Sequence, residues 1–162
     1  DQIDDLSDQI KKLGGKPNTS SSDKKTIIKE LSKQLDILNV KNVLGDKNKN
    51  IIKDENINNI KVRFQKISDL SPKDLRKLVD EGKNYFKEGI VIVCASKDDK
   101  VGLAIGVTNN LTKDYDAVQL VKVGSEIIGG KGGGGRKDFA QAGGNKVEMI
   151  DEAFKKIRTL IK

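Results

Sequence analysis

The segment GGKGGGGRKDFAQAGG at residues 129–144 dominates the sequence, because it holds eight of the chain's 16 glycines. Glycine loses more conformational entropy on folding than any other residue, roughly 0.5–1 kcal/mol relative to alanine. Eight ordered glycines therefore cost on the order of 4–8 kcal/mol, which is comparable to the whole stability of a small domain. An ordered segment of this composition needs a specific structural or functional reason.

A nucleotide-binding loop is the first possibility to weigh. Gly130 and Gly135 have the spacing of a Walker phosphate-binding loop, but Arg136 and Lys137 follow where that motif requires Lys and then Ser or Thr. The glycines also match GxGxxG, yet that dinucleotide motif needs a strand before it, and this segment follows a predicted helix. A run of glycines matches many patterns by chance, so the context disfavours a nucleotide loop.

A structural role and a binding role both remain open for the glycines. Tight turns and close packing would account for about two or three of them and would explain the dense cluster poorly. Alternatively, bare backbone N–H groups form concavities that bind anions, and Lys131, Arg136 and Lys137 add positive charge beside them. That combination suits contact with phosphate and ribose, or with the exposed bases of a structured RNA.

The composition excludes several classes of site. Lysine and arginine outnumber aspartate and glutamate by 31 to 24, and the net charge of +7 favours an anionic partner. The lack of histidine removes histidine-based triads and zinc sites. The single cysteine, Cys94, lies in an apolar run and can form neither a disulfide within the chain nor a cysteine metal cluster. Without a signal peptide or an apolar stretch near 18 residues, we expect a cytoplasmic protein with no membrane partner.

A helical arm is predicted at residues 1–45. Two amphipathic stretches are separated by the break GGKPNTSSS at 14–22, and Ser22 or Asp23 can cap the second helix. Their apolar stripes form a plain core face or pack on missing sequence, on the next domain or on another copy. The residues assigned to this packing are Ile3, Leu6, Ile10, Leu13, Ile27, Leu31 and Leu35.

Residues 46–162 are predicted to form a globular domain. Alternation at 60–67 indicates a strand, and the apolar runs GIVIVCAS and VGLAIGV, joined by KDDK, indicate a hairpin. Helical stripes follow the first strand, the hairpin and the glycine segment. The order β-α-β-β-α-glycine loop-α predicts an α/β fold, a mixed sheet with packed helices, preceded by the arm. Residues 39–59 are rich in Asn and Lys and carry no clear pattern, and a short helix around 46–55 is one option there.

Two glycines fall on the apolar faces of predicted helices, Gly82 and Gly124. They can let the helix approach the sheet closely. They can equally be ordinary glycines near helix ends. The sequence leaves both possibilities open.

The glycine segment strongly resembles the hallmark segment of the DHH-associated (C-Ala) domain at the C-terminus of bacterial alanyl-tRNA synthetases, which runs GGKGGG(G)RPDxAQxGG. The match covers residues 129–136, Asp138 and 140–144, and Lys137 stands where the family has proline. LRKLVDEGK at 75–83 and the hairpin end at 104–108 also agree with the family. Related phosphoesterases and short-RNA nucleases carry a histidine in this segment, which argues against them here.

The resemblance covers about residues 60–162, and residues 1–45 look like the family's helical connection to its editing domain. It implies that the chain is a non-catalytic fragment of an ATP-dependent alanine–tRNA ligase. In that family the module binds the elbow of alanine tRNA and bridges the aminoacylation and editing domains, and in some members it forms a homodimer. No cofactor is expected in this segment, whereas ATP, Mg and Zn are expected in the missing domains.

Residue roles follow from the resemblance and the charges together. Lys131, Arg136 and Lys137 are expected to touch RNA, while close approach comes from Gly132, Gly133, Gly134 and Gly135. A carboxylate beside phosphate would repel it, so Asp138 is expected to order the loop or hold Arg136. The remaining residues expected to shape the loop are Gln141, Gly143 and Gly144. The alternative function is an oligomerisation or scaffold module that acts through the arm with little RNA contact.

Overall fold

The computed structural model describes residues 2–19, 23–71 and 74–161, and the chain divides into two compact units, residues 1–47 and 48–162. The first unit is a helical hairpin of α1 (Gln2–Lys12) and α2 (Lys24–Leu44). Asp23 caps α2 by accepting the backbone N–H of Lys25 at 3.1 Å. The second candidate cap, Ser22, lies outside the described residues.

The predicted apolar stripes of the arm face the inside of this hairpin. Ile10 and Leu31 are fully buried, and the two helices pack against each other. The remaining residues assigned to the arm are half-buried; they are Ile3, Leu6, Leu13, Ile27 and Leu35. On the outer surface of α2, Ile37 is 59% exposed.

The second unit is built on a mixed sheet that orders its strands β1-β2-β3-β4-β6-β5. The strands are β1 (Asn50–Ile57), β2 (Ile60–Ser68), β3 (Ile90–Lys97), β4 (Lys100–Val107), β5 (Gly134–Gly135) and β6 (Phe139–Gly144). Strands β2 and β3 run parallel because α3 (Leu75–Phe86) carries the chain back between them, and the remaining neighbours are antiparallel. The α/β class, the strand at 60–67 and the hairpin after it are confirmed.

The expected short helix at 46–55 is wrong, because residues 50–57 form the edge strand β1. A two-residue turn joins β1 to β2, and its residues Asn58 and Asn59 have φ values of 54° and 64°. Asparagine tolerates this left-handed backbone better than most residues, and such turns match the twist of a hairpin. The expected glycine loop is likewise partly strand, since it contains β5 and β6.

Helices cover both faces of the sheet. Helix α3 packs on β3 and β4 on one face, and α4 (Ala117–Ile127) and α5 (Ile150–Ile161) cover the other. A Cβ on Gly82 would lie 2.8 Å from Val91 Cγ2, and one on Gly124 would lie 2.5 Å from Leu103 Cδ2. Close approach to the sheet is therefore the reason for both glycines.

The single cysteine belongs to the core between the sheet and α4–α5. Burial raises the pKa of the Cys94 thiol to about 12, with a smaller opposing effect from Lys66. The thiol is therefore protonated and unreactive near neutral pH. Among the described helices, none combines the length and the apolar character needed to cross a bilayer.

Candidate nucleic-acid interface

The glycine segment folds into an antiparallel hairpin at one edge of the sheet. Strand β6 pairs with β4, and β5 pairs with β6, so β5 is the outermost strand. Lys137 and Asp138 form the two-residue turn between them, because Arg136 and Phe139 exchange backbone hydrogen bonds of 2.7 and 3.2 Å. The segment is thus an ordered part of the sheet.

Backbone conformation or packing within the protein accounts for six of the eight glycines. Gly129 and Gly132 have φ values of 84° and 92°, which side chains with a Cβ rarely adopt. A Cβ would collide with the protein's own backbone at four further positions, namely Gly130, Gly133, Gly135 and Gly144. The expectation that turns and packing explain only about two or three of them is therefore wrong, because β5 and the end of α4 lie directly against β6.

The two remaining glycines, Gly134 and Gly143, have no such internal reason. A Cβ on Gly134 would meet no atom within 4 Å, and one on Gly143 would lie 3.6 Å from the Val101 carbonyl oxygen, an ordinary contact. Both residues are exposed, and neither has a left-handed backbone. A bare strand position without steric need is typical of a place where another molecule approaches the backbone.

These two positions lie on the same face of the sheet. Gly134 is paired with Gln141, and Gly143 follows Gln141 by two residues and is paired with Gly102. Paired antiparallel residues and residues two apart share a face. We call Gly102, Gly134, Gln141 and Gly143 the glycine face. A depression of about 540 Å³ includes three of these residues, with Lys100 at its rim.

The predicted cations flank the outer strand of this hairpin. Lys131 precedes the glycines of β5, and Arg136 and Lys137 follow them, all three exposed. Arg136 Nε lies 3.4 Å from Asp138 Oδ1, and the Arg136 side chain remains 68% exposed. A guanidinium carries five N–H donors, so this ion pair orients Arg136 and leaves donors for a ligand.

Three further cationic side chains lie near the hairpin. The residue patterns had not singled them out as site residues. Lys100 begins β4 and lines the depression, Arg76 places its guanidinium carbon 5.0 Å from the centre of the Phe139 ring, and Lys83 Nζ donates to the Asp138 carbonyl oxygen at 3.2 Å. Arg76 and Lys83 lie in LRKLVDEGK, whose match to the family was the available signal for them. Nothing in the sequence pointed to Lys100 as a site residue, because its position beside the glycine face depends on the pairing of β4 with β6.

The groups gathered at this hairpin are suited to binding a ligand. Exposed backbone, amide and cationic donors suit an anionic ligand with polar edges. Within residues 2–19, 23–71 and 74–161, no three His, Cys, Asp or Glu side chains come close enough together to hold a metal ion.

The chain is similar to several known proteins. The DHHA1 domain model matches residues 59–162. The alanine–tRNA ligase of Parvibaculum lavamentivorans is 46% identical over 103 residues, which are 63% of this chain and 12% of that protein. The alanine–tRNA ligase of Fusobacterium nucleatum is 42% identical over 134 residues, which are 83% of this chain and 15% of that protein. The chain therefore spans only a small part of the length of these relatives.

Two solved structures share the fold. A DHH-domain protein described as a member of the s1p family of ribosomal proteins is 17% identical with a TM-score of 0.50, over 83% of this chain and 32% of that one, and it shows a shared fold alone. The C-Ala domain of Aquifex aeolicus alanyl-tRNA synthetase is 28% identical with a TM-score of 0.63, over 67% of this chain and 97% of that one. The chain therefore belongs to the DHHA1 domain family, as a C-terminal domain of the alanyl-tRNA synthetase type.

Proposed function

We propose that this chain is the tRNA-binding module of a cytoplasmic alanine–tRNA ligase, and that the glycine face binds the elbow of alanine tRNA. The observation that carries the proposal is the pair of exposed glycines, Gly134 and Gly143, that the fold itself does not require. The relatives are alanine–tRNA ligases, which supports tRNA as the ligand. By the same proposal, the module bridges the aminoacylation and editing domains of its parent enzyme.

The chemistry of an RNA elbow fits this surface. Such an elbow exposes phosphates, 2′-hydroxyls and loop bases. The chain has four Phe, two Tyr and no Trp, so few aromatic side chains are available for stacking on RNA bases. Contact then depends on backbone approach over the glycine face and on charge from Lys131, Arg136 and Lys137. ATP, Mg²⁺ and Zn²⁺ belong, in this proposal, to the parent's other domains.

Binding of the full chain to labelled alanine tRNA, measured by fluorescence anisotropy at salt concentrations from about 50 to 300 mM, tests the proposal. Three phosphate contacts predict a slope of log affinity against log salt of about −2 to −3. The double variant Lys131→Ala with Arg136→Ala removes two contacts. It should weaken binding and reduce the steepness of the slope by about 1.5.

A matched control removes the same charge elsewhere. Lys113 and Lys156 are exposed and lie outside the hairpin, so Lys113→Ala with Lys156→Ala should leave most of the slope intact. A flat salt response of the unaltered chain would overturn the proposal. Equal losses from the two double variants would overturn the assignment of the hairpin as the contact.

The scaffold alternative keeps one supporting observation, the 59% exposed Ile37 on α2. A single exposed apolar side chain is ordinary on a protein surface, so Ile37 is weak support for a contact between copies. Sedimentation over a wide concentration range, with and without tRNA, separates the two functions. A stable dimer indifferent to tRNA would favour the scaffold, and a complex that forms on adding tRNA would favour the RNA-binding module.

A further inference from the structure

We propose that Lys83 is a positioning residue for the RNA-binding turn. In this role it does not touch RNA but holds the Lys137–Asp138 turn, so that Arg136 and Lys137 are presented in one fixed geometry. The inference rests on the proposed function, since it takes tRNA as the ligand. It adds a residue from α3, distant in sequence from the glycine segment, to that binding site.

The contacts of Lys83 lead directly to the turn. Its Nζ donates to the Asp138 carbonyl oxygen at 3.2 Å, and that oxygen also accepts the Val107 N–H at 2.9 Å. The stem of Lys83 runs over bare Gly106, where an added Cβ would lie 2.9 Å from Lys83 Cδ. Lys83 is half-buried, so its ammonium group is held along this path instead of extending freely into solvent.

Neighbouring elements fix the rest of the turn. The Lys137 carbonyl oxygen accepts the Ala117 N–H at 3.0 Å, at the start of α4. Arg76, seven residues before Lys83 and therefore on the same side of α3, lies over the Phe139 ring at 5.0 Å. Helix α3 thus contacts Asp138, the last residue of the turn, and Phe139, the first residue of β6.

Holding the turn matters because ordering it on binding would reduce affinity. Immobilising a side chain at an interface costs about 0.5–1.5 kcal/mol, equivalent to about twofold to twelvefold in affinity. A hydrogen bond from an ammonium group is stronger than one between neutral partners. Lys83 therefore prepares the turn before the RNA arrives, and removing its ammonium group should lower affinity without removing a phosphate contact.

A double-mutant cycle in the full chain tests this role. Lys83→Met keeps an apolar stem on Gly106 and removes the ammonium group. We expect it to weaken alanine tRNA binding about fivefold, with an unchanged salt slope. In the Arg136→Ala background the same change should weaken binding only about twofold, because one of the two side chains that it positions is gone. Lys77→Met is the control, since Lys77 is exposed on the same helix, and its small effect should add to that of Arg136→Ala.

Each outcome of the cycle decides the role of Lys83. Unchanged affinity of Lys83→Met, or additivity with Arg136→Ala, would overturn the proposal. A slope less steep by about 0.7–0.9 would instead make Lys83 a phosphate contact and overturn positioning. If Lys83→Met melts the domain, Lys83→Arg provides the test, because a retained donor should preserve affinity and a large loss would contradict the role.

The cycle also separates this inference from the proposed function. If Lys131→Ala with Arg136→Ala leaves tRNA binding intact, the hairpin is not the contact and the proposed function fails. If that variant loses binding while Lys83→Met keeps it, the hairpin remains the contact and the positioning role alone fails.

Discussion

At the residue scale, the glycines of the 129–144 segment have different reasons to be glycine. Gly133 is glycine because β6 leaves no room for a Cβ, whereas Gly134, its neighbour, faces open space. The sequence showed the cluster and its likeness to a family. It did not separate these two residues, because the separation depends on which strand lies against each backbone. The positions that the fold does not require are the ones that point to a ligand.

Lys137 offers a test of the turn and of the charge at once. It occupies the first of the two turn positions, where the family pattern has proline and where a fixed φ near −65° is favourable. We expect Lys137→Pro to raise the free energy of unfolding by about 0.4–1 kcal/mol, because the unfolded chain loses freedom. The slope of log tRNA affinity against log salt should become less steep by about 0.7–0.9, because one phosphate contact is removed.

Urea unfolding and tRNA titration measure the two effects of Lys137→Pro separately. Lys137→Ala is the control, since it removes the charge without stiffening the turn and should reproduce only the loss in slope. A destabilised Lys137→Pro variant would contradict the assignment of the turn.

At the element scale, the sequence predicted the strands and helices that carry a clear apolar pattern. Strand β2 and the helices carry it on one side, whereas β3 and β4 are apolar runs buried on both faces of the sheet. Strand β1 carries no such pattern, because NIIKDENI places polar residues on both faces of an edge strand. Strands β5 and β6 were missed because glycine contributes no hydrophobic signal, and because β6 pairs with β4 across a whole helix of sequence.

Gly133, just before β5, and Gly134, the first residue of β5, provide a matched pair of variants. Gly133→Ala places a Cβ against the Gln141 carbonyl oxygen and should lower the free energy of unfolding by about 1–3 kcal/mol. Gly134→Ala has open space and should leave stability unchanged or raise it by about 0.4–1 kcal/mol. Its methyl group, however, stands between the backbone and the RNA, and we expect weaker tRNA binding.

Chemical denaturation and tRNA titration of the two variants distinguish packing from binding. The informative result is a Gly134→Ala chain that is fully stable and binds tRNA less well. Unaltered tRNA binding by that chain would remove the reason for calling the bare face a contact surface.

At the scale of the whole molecule, the chain consists of two compact units, and we assign RNA binding to the second. The family resemblance identified the segment concerned. The remaining parts of the site come from α3 and from the start of β4, so they could be found only once the sheet order was known. One hairpin of the second unit therefore collects cations from three separate stretches of sequence.

A change in the first unit tests this division of roles. Ile10 is fully buried in the helical hairpin, and Ile10→Ala should destabilise that unit by about 2–5 kcal/mol. We expect hydrogen exchange to speed up in α1 and α2, while tRNA affinity and salt slope stay as in the unaltered chain. A parallel loss of tRNA affinity would mean that the arm forms part of the binding surface.

We place tRNA on the glycine face, and amide NMR of the isotope-labelled chain reports on that contact residue by residue. Glycine amides fall in a distinct region of the spectrum, so Gly134 and Gly143 can be followed individually as alanine tRNA is added. We expect these two residues, Gln141 and Arg136 to show the largest changes. Changes confined to α1, α2 or α5, with the glycine face unaltered, would contradict the claim.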